Sequence, residues 1–276
     1  MLFGKKNCTQ CGSKYDVVEP TCPTCKCRDT NFEQLGIPKN ILWLPTWKQL
    51  VCFAIGLIGL NLISIIGSIF FGWYGQEHYI TYVTAVNVVR YGLCAIGIAC
   101  VLIHDYHKFP PFLKKWYPWV IGIGFAVALV TSSMMYNIIV NLFHPTTANE
   151  NQQIVNQVIG SFPFTSILLL AILGPIVEEF TYRVGLYSFF RRINKYLAYA
   201  LTIVIFALIH FDFFAKGDDM INELLNLPSY MISGFLLTLA YEKFGIACSV
   251  TAHIGNNLYG VLMTILLNII NKYVGQ

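Results

Sequence analysis

The stretch Pro163–Phe190 reads PFTSILLLAILGPIVEEFTYRVGLYSFF, and its only charged residues are Glu178, Glu179 and Arg183. Its length and apolarity suit a membrane span, which needs about 20 mostly apolar residues. Neighbours on a helix point about 100° apart, so the two glutamates face different directions. Glu179 and Arg183 stand at i and i+4, with the glutamate on the N-terminal side, the favourable order for neutralising each other. Glu178 is left to face elsewhere. A lone carboxylate in a low-dielectric bundle has the preparation that a general base needs.

The chain around this stretch has the composition of a membrane protein. Of 276 residues, 56% are hydrophobic and 12% charged, against about 25% charged in soluble domains. Mean hydropathy is +0.59. The net charge of +4 suits basic loops at a bilayer face better than a nucleic-acid footprint, so no nucleic-acid partner is expected. No apolar stretch follows Met1–Lys6, so no signal peptide is expected there.

Seven spans are predicted: Lys48–Trp73, Ile80–His104, Trp116–Phe143, Pro163–Phe190, Tyr196–Phe214, Met220–Tyr241 and Ile246–Ile270. The fold class is thus an all-α integral membrane bundle of about seven transmembrane helices. The opening of the sixth span, Met220–Leu227, is amphipathic and suits the interface. Lys39, Lys48, Lys108, Lys114, Lys115, Arg191, Arg192, Lys195 and Lys243 fall in alternate loops. That alternation predicts a multi-pass protein of the cell membrane, with its N-terminus cytosolic and its C-terminus outside.

Five cysteines crowd the first 30 residues. Cys8 and Cys11, then Cys22 and Cys25, form two CxxC knuckles, a donor set suited to one tetrahedral zinc. A segment this short buries too little to fold unaided, so it needs such a staple. A disulfide pair or a redox CxxC fits less well, since no βαβ pattern accompanies the motif. Cys27 is a spare that could replace Cys25. A four-cysteine site is closed, so the zinc is expected to be structural. Cys52, Cys94, Cys100 and Cys248 read as small buried hydrophobes. The expected organisation is a cytosolic zinc ribbon over 1–28, a linker over 29–47, transmembrane helices over 48–143 and a second membrane unit over 163–270.

Ionisable residues inside a bilayer mark functional sites by default. Besides the glutamates these are Arg90, His210 in Phe206-Ala-Leu-Ile-His210, and His253 in His253-Ile-Gly-Asn-Asn257. His253 and Asn257 share one helix face at i and i+4, while Asn256 points about 100° away. By helical rise, Glu178 lies ~18 Å, His210 ~21 Å, His253 ~10 Å and Asn257 ~16 Å from the basic ends of their spans. Three helices could therefore aim Glu178, His210, His253 and Asn257 at one cavity.

The ordered trio EExxxR, FxxxH and HxxxN resembles the signature of the CPBP family, the CAAX-type prenyl-protein endopeptidases and their bacteriocin-processing relatives. The resemblance covers about Pro163–Ile270 and is matched at Glu178, Glu179, Arg183, Phe206, His210, His253 and Asn257. It implies an intramembrane endopeptidase in which Glu178 and His210 activate water while His253 and Asn257 bind the oxyanion. Glu179, Arg183 and Phe206 would support that site. Metal-free activation is favoured, because an asparagine beside the second histidine suits an oxyanion hole better than a metal shell. A catalytic divalent metal on the histidines and glutamate stays the alternative.

The implied substrate is a peptide precursor or membrane protein, met in the lipid bilayer, with a cytosolic partner for the ribbon a further option. No HExxH and no paired intramembrane aspartates occur, and Ser233-Gly234 suits helix packing. The rival to an enzyme is a non-catalytic peptide-binding immunity protein, receptor or transporter. A scaffold that recruits partners through its ribbon is a second rival.

Overall fold

The computed structural model describes residues 4–17, 19–29, 36–38, 40–109 and 113–274. Strands β1 (Lys5–Asn7) and β2 (Lys14–Asp16) pair antiparallel, with Lys6 opposite Tyr15. The helices that follow are α1 (Thr46–Gly75), α2 (Tyr79–Asp105), α3 (Tyr117–Phe143), α4 (Glu150–Ser161), α5 (Pro163–Arg191), α6 (Lys195–Leu208), α7 (Asp218–Phe244) and α8 (Ile246–Tyr273). All of these except α4 and α6 are long and apolar enough to cross a bilayer.

The expected fifth span is the one that differs. Helix α6 has 14 residues and rises only about 21 Å, against a hydrocarbon core of about 30 Å. The expected span ran to Phe214, but hydrogen bonds from other elements draw the chain out of the helix earlier. Asn149 donates to the His210 carbonyl (3.2 Å), and the Asp212 N–H donates to Glu223 (3.2 Å). Gly217, at φ 58°, then turns the chain into α7. The sixth span is one continuous helix that carries Pro228 internally, so its amphipathic start belongs to the same element.

Helix α5 is the axis of the bundle. Half of its apolar window is buried, against 11–28% in the other five long helices. Glycines let α1 approach it closely. A Cβ on Gly56 would fall 1.8 Å from Thr181 Oγ1, and one on Gly185 would fall 2.9 Å from the Phe53 nitrogen. Helices α3 and α8 pack in the same way, with Gly122 against the Cys248 carbonyl and Gly255 against Ala126. Small residues that bring backbones together are how helices associate where lipid is as apolar as leucine.

One face of the bundle gathers the ribbon and most of the basic residues. Ile37, Ile41, Leu42, Trp43 and Leu44 lie within the stretch read as a linker, and all are buried. Arg191 donates to the Gly36 carbonyl (2.9 Å) and pairs with buried Glu242 (3.2 Å). Arg192 donates to the Leu44 carbonyl (2.7 Å) and stacks on Trp43. Lys48 pairs with Asp105, and Lys108 bridges Asp105 (3.2 Å) and Glu19 of the ribbon (3.1 Å). Helix α8 starts at this face and runs away from it.

The α1–α5 contact yields a direct expectation. Gly56→Ala should lower stability in detergent by about 1–3 kcal/mol or more, because Thr181 is buried and has no room to move. Gly72→Ala in the same helix meets open space and should leave the melting temperature nearly unchanged. Equal melting of the two variants would contradict the contact.

Candidate active site

Helix α5 is not regular. Two π-helical segments, Ile167–Leu173 and Phe180–Tyr187, flank the α-helical turn Gly174–Glu179. Such bulges often accompany functional sites. In the first segment the Gly174 N–H reaches Leu169 O. The next residue is Pro175, which has no N–H to give Leu170 O. That carbonyl is instead taken by Asn257 Nδ2 at 3.0 Å. The proline three residues before Glu178 thus fixes where Asn257 sits.

Glu179 and Arg183 are fully buried and 2.9 Å apart. Glu179 Oε1 is also 2.8 Å from His253 Nδ1. A carboxylate only accepts, so His253 carries its proton on Nδ1. Its other nitrogen, Nε2, faces Glu178 Oε2 at 3.7 Å. Arg183 further stacks on Phe206, 4.6 Å from the ring centre. His210 donates through Nδ1 to the Phe206 carbonyl (2.9 Å), and its ring stacks on Tyr230 at 4.5 Å. Both histidines are therefore held by their Nδ1–H groups, which leaves each Nε2 as the uncommitted nitrogen.

Glu178, His210, His253 and Asn257 line one cavity of about 910 Å³, while Glu179 and Arg183 stand behind its wall. Asn137, Asn141, Gln152 and Asn226 give it a polar rim at the end away from the ribbon. Two lining residues escaped sequence reasoning. Tyr91 of α2 donates to Glu178 Oε1 (3.3 Å), but a tyrosine in an apolar span carries no pattern that marks it. Tyr230 stacks on His210 from another helix. Asn256, the weaker candidate of the two asparagines by helical spacing, also lines the cavity and donates to Asn257 Oδ1 (3.2 Å).

The ribbon offers the other constellation. The thiols of Cys8, Cys11, Cys22 and Cys25 all lie within 4.8 Å of one another, as ligands of one metal ion must. The two knuckles are alike. Gly12 (φ 71°) follows Cys11 and Lys26 (φ 61°) follows Cys25. The Cys8 N–H meets Ser13 O and the Cys22 N–H meets Cys27 O, both at 2.9 Å. In this repeat Cys27 takes the place of Ser13, and its thiol lies 3.2 Å from that of Cys8 and 3.3 Å from that of Cys25. The Cys11 backbone N–H holds the Cys8 thiol below its ordinary value, and the Cys25 N–H does the same for Cys22. Among the described residues no second group converges so closely, and Glu178, His210 and His253 do not.

Fold and site together define a multi-pass membrane protein with a buried carboxylate–histidine cavity. Residues 160–259 match the family described as type II CAAX prenyl endopeptidase Rce1-like. Every residue of the three motifs lies in that segment, so the part of the chain that carries the cavity is the part similar to this endopeptidase family. The chain is also similar to the UPF0177 protein YvdC of Lactococcus lactis subsp. lactis (strain IL1403), with 23% identity over 194 residues, 70% of each chain. No solved structure matches it.

The ion pair behind the cavity should carry stability as well as geometry. Arg183→Ala and Glu179→Gln each leave a buried partner uncompensated, at a cost of about 3–5 kcal/mol. Both variants should melt well below the parent in detergent. Unchanged melting would contradict the pairing.

Proposed function

We propose that the protein is an intramembrane endopeptidase that hydrolyses a peptide bond of a membrane-associated or peptide-precursor substrate. The observation that carries this reading is the convergence of Glu178, His210, His253 and Asn257, from separate helices, on one cavity. Carboxylate oxygens face both ring nitrogens of His253, Glu179 at Nδ1 (2.8 Å) and Glu178 at Nε2 (3.7 Å), so a His253 protonated on both is charge-compensated and its Nε2–H is a donor aimed into the cavity.

Each step then has a residue. Glu178 takes a proton from water as the oxygen attacks the substrate carbonyl, while the water's other O–H stays intact and donates a hydrogen bond to His210 Nε2, which orients it. The oxyanion receives hydrogen bonds from His253 Nε2 and from the second N–H of Asn257 Nδ2. Glu178 returns its proton to the leaving amine as the C–N bond breaks. Glu179, held by Arg183, fixes the orientation of the His253 ring. Asn257, beside His253 on one helix face, suits an oxyanion hole better than a metal shell, which supports metal-free activation.

The ribbon is proposed to hold one structural zinc through Cys8, Cys11, Cys22 and Cys25. The basic face it shares with Lys108, Arg191 and Arg192 is proposed to be cytosolic, which directs the polar rim of the cavity outward.

Glu178→Gln should abolish cleavage while peptide binding survives, since the base acts in the chemical step. Asn257→Ala should lower kcat by roughly 10²–10³, the cost of one oxyanion donor. Turnover by Glu178→Gln at anything near the parent rate would overturn the assignment.

A further inference from the structure

Five thiols crowd a site that four ligands complete. Those of Cys8, Cys11, Cys22 and Cys25 lie within 4.8 Å of one another, and a tetrahedral structural zinc has no fifth position. The Cys27 thiol nevertheless touches two of them, Cys8 at 3.2 Å and Cys25 at 3.3 Å, which are themselves 3.5 Å apart. The repeat of the two knuckles shows what the fold asks of this position. The Gly12 N–H meets Cys8 O and the Lys26 N–H meets Cys22 O, both at 2.9 Å, and the residues that follow are Ser13 and Cys27. Ser13 Oγ lies 3.2 Å from the Cys11 thiol. A hydroxyl thus serves the first knuckle where a thiol stands in the second. The fold needs only a small polar side chain there, and sulfur adds chemistry that oxygen lacks. Cys25 is exposed and Cys27 partly so, whereas Cys8 and Cys22 are buried.

We propose that Cys27 is a redox modification site: a hydroperoxide joins it to a ligand thiol, Cys8 or Cys25, and the ribbon gives up its zinc. The inference rests on the zinc reading of the four-cysteine cluster and does not depend on the endopeptidase reading. Cys27 is the thiol that the metal leaves out, so its sulfur is the one free to attack a peroxide. It takes the terminal oxygen as the O–O bond breaks, which yields a sulfenic acid and an alcohol, or water when the oxidant is hydrogen peroxide. The neighbouring ligand sulfur then attacks Cys27. The S–S bond forms, and the hydroxyl leaves with one proton as water. The two cysteines lose two electrons and the peroxide gains them. Three ligands remain, too few for a closed structural site. A dithiol reverses the disulfide and reopens the site to metal. The change reaches beyond the ribbon. Thr21 pairs with Arg28 across the second knuckle, Arg28 donates to Ile37 O (2.5 Å), and Glu19 just before it meets Lys108 (3.1 Å). The knuckle that loses its ligand is the one that fastens the ribbon to the membrane core.

The test uses full-length protein in detergent, exposed to hydrogen peroxide beside an untreated control. A chromogenic zinc chelator reads the metal released, and mass spectrometry of a non-reducing digest locates the disulfide. The parent should release about one zinc per chain, with Cys27 joined to Cys8 or Cys25. Dithiothreitol followed by added zinc should restore the metal content. Cys27→Ser, the residue type that the first knuckle already carries, should purify with its zinc and keep it through the same exposure. Release from Cys27→Ser as fast as from the parent overturns the proposal. So does a parent whose disulfide leaves Cys27 out, a result that decides the matter even if Cys27→Ser fails to fold. Cys27→Ser that folds but purifies without zinc makes Cys27 a ligand and also overturns it. A parent that holds no zinc before exposure contradicts the zinc reading itself, and the release step falls with it.

Discussion

A guanidinium and a carboxylate held 2.9 Å apart, both without access to solvent, are the constraint around which the membrane core is organised. Neither charge could stay in a bilayer alone. Paired, they form a rigid polar post that does more than neutralise itself. Its carboxylate accepts a hydrogen bond from His253 Nδ1–H, and its guanidinium lies on Phe206, whose carbonyl fixes His210. The two histidines are thereby oriented through a pair, Glu179 and Arg183, that does not itself line the cavity. Glu178, one residue away on α5, is the carboxylate this arrangement leaves uncompensated.

That division was legible in the sequence because it follows from helical spacing. The i, i+4 relation of Glu179 and Arg183 leads directly to the ion pair. The relation of His253 and Asn257 brings both to the cavity wall. Spacing could not reach what depends on departures from the regular helix. The π-helical segments of α5 and the missing N–H of Pro175 decide that Leu170 O binds Asn257. Tyr91 and Tyr230 join the site only through tertiary packing, which no local pattern encodes. The expected span at Tyr196–Phe214 fell short because Asn149 and Glu223, distant in sequence, capture the chain at His210 and Asp212.

The basic residues that signalled topology turn out to have structural work on the ribbon face. Lys48, Lys108, Arg191 and Arg192 tie the ends of α1, α2 and α5 to one another, to residues 36–44 and to the ribbon. The four-cysteine cluster is therefore joined to the helices that carry the cavity. On the far side the cavity ends in a rim of amides, which can hydrogen-bond an extended backbone without adding charge. A peptide entering there meets neutral donors and acceptors first, and the charged groups only at the depth of Glu178.

The central claim is that Glu178 and His210 activate water and His253 holds the oxyanion, none of the three acting as ligand of an ion. Metal content measured on purified full-length protein, beside the same measurement on His210→Ala and His253→Ala, tests it most directly. The account predicts one zinc per chain in all three, held by the ribbon, with cleavage lost only in the histidine variants. A second stoichiometric metal in the parent, absent from either variant, would contradict it.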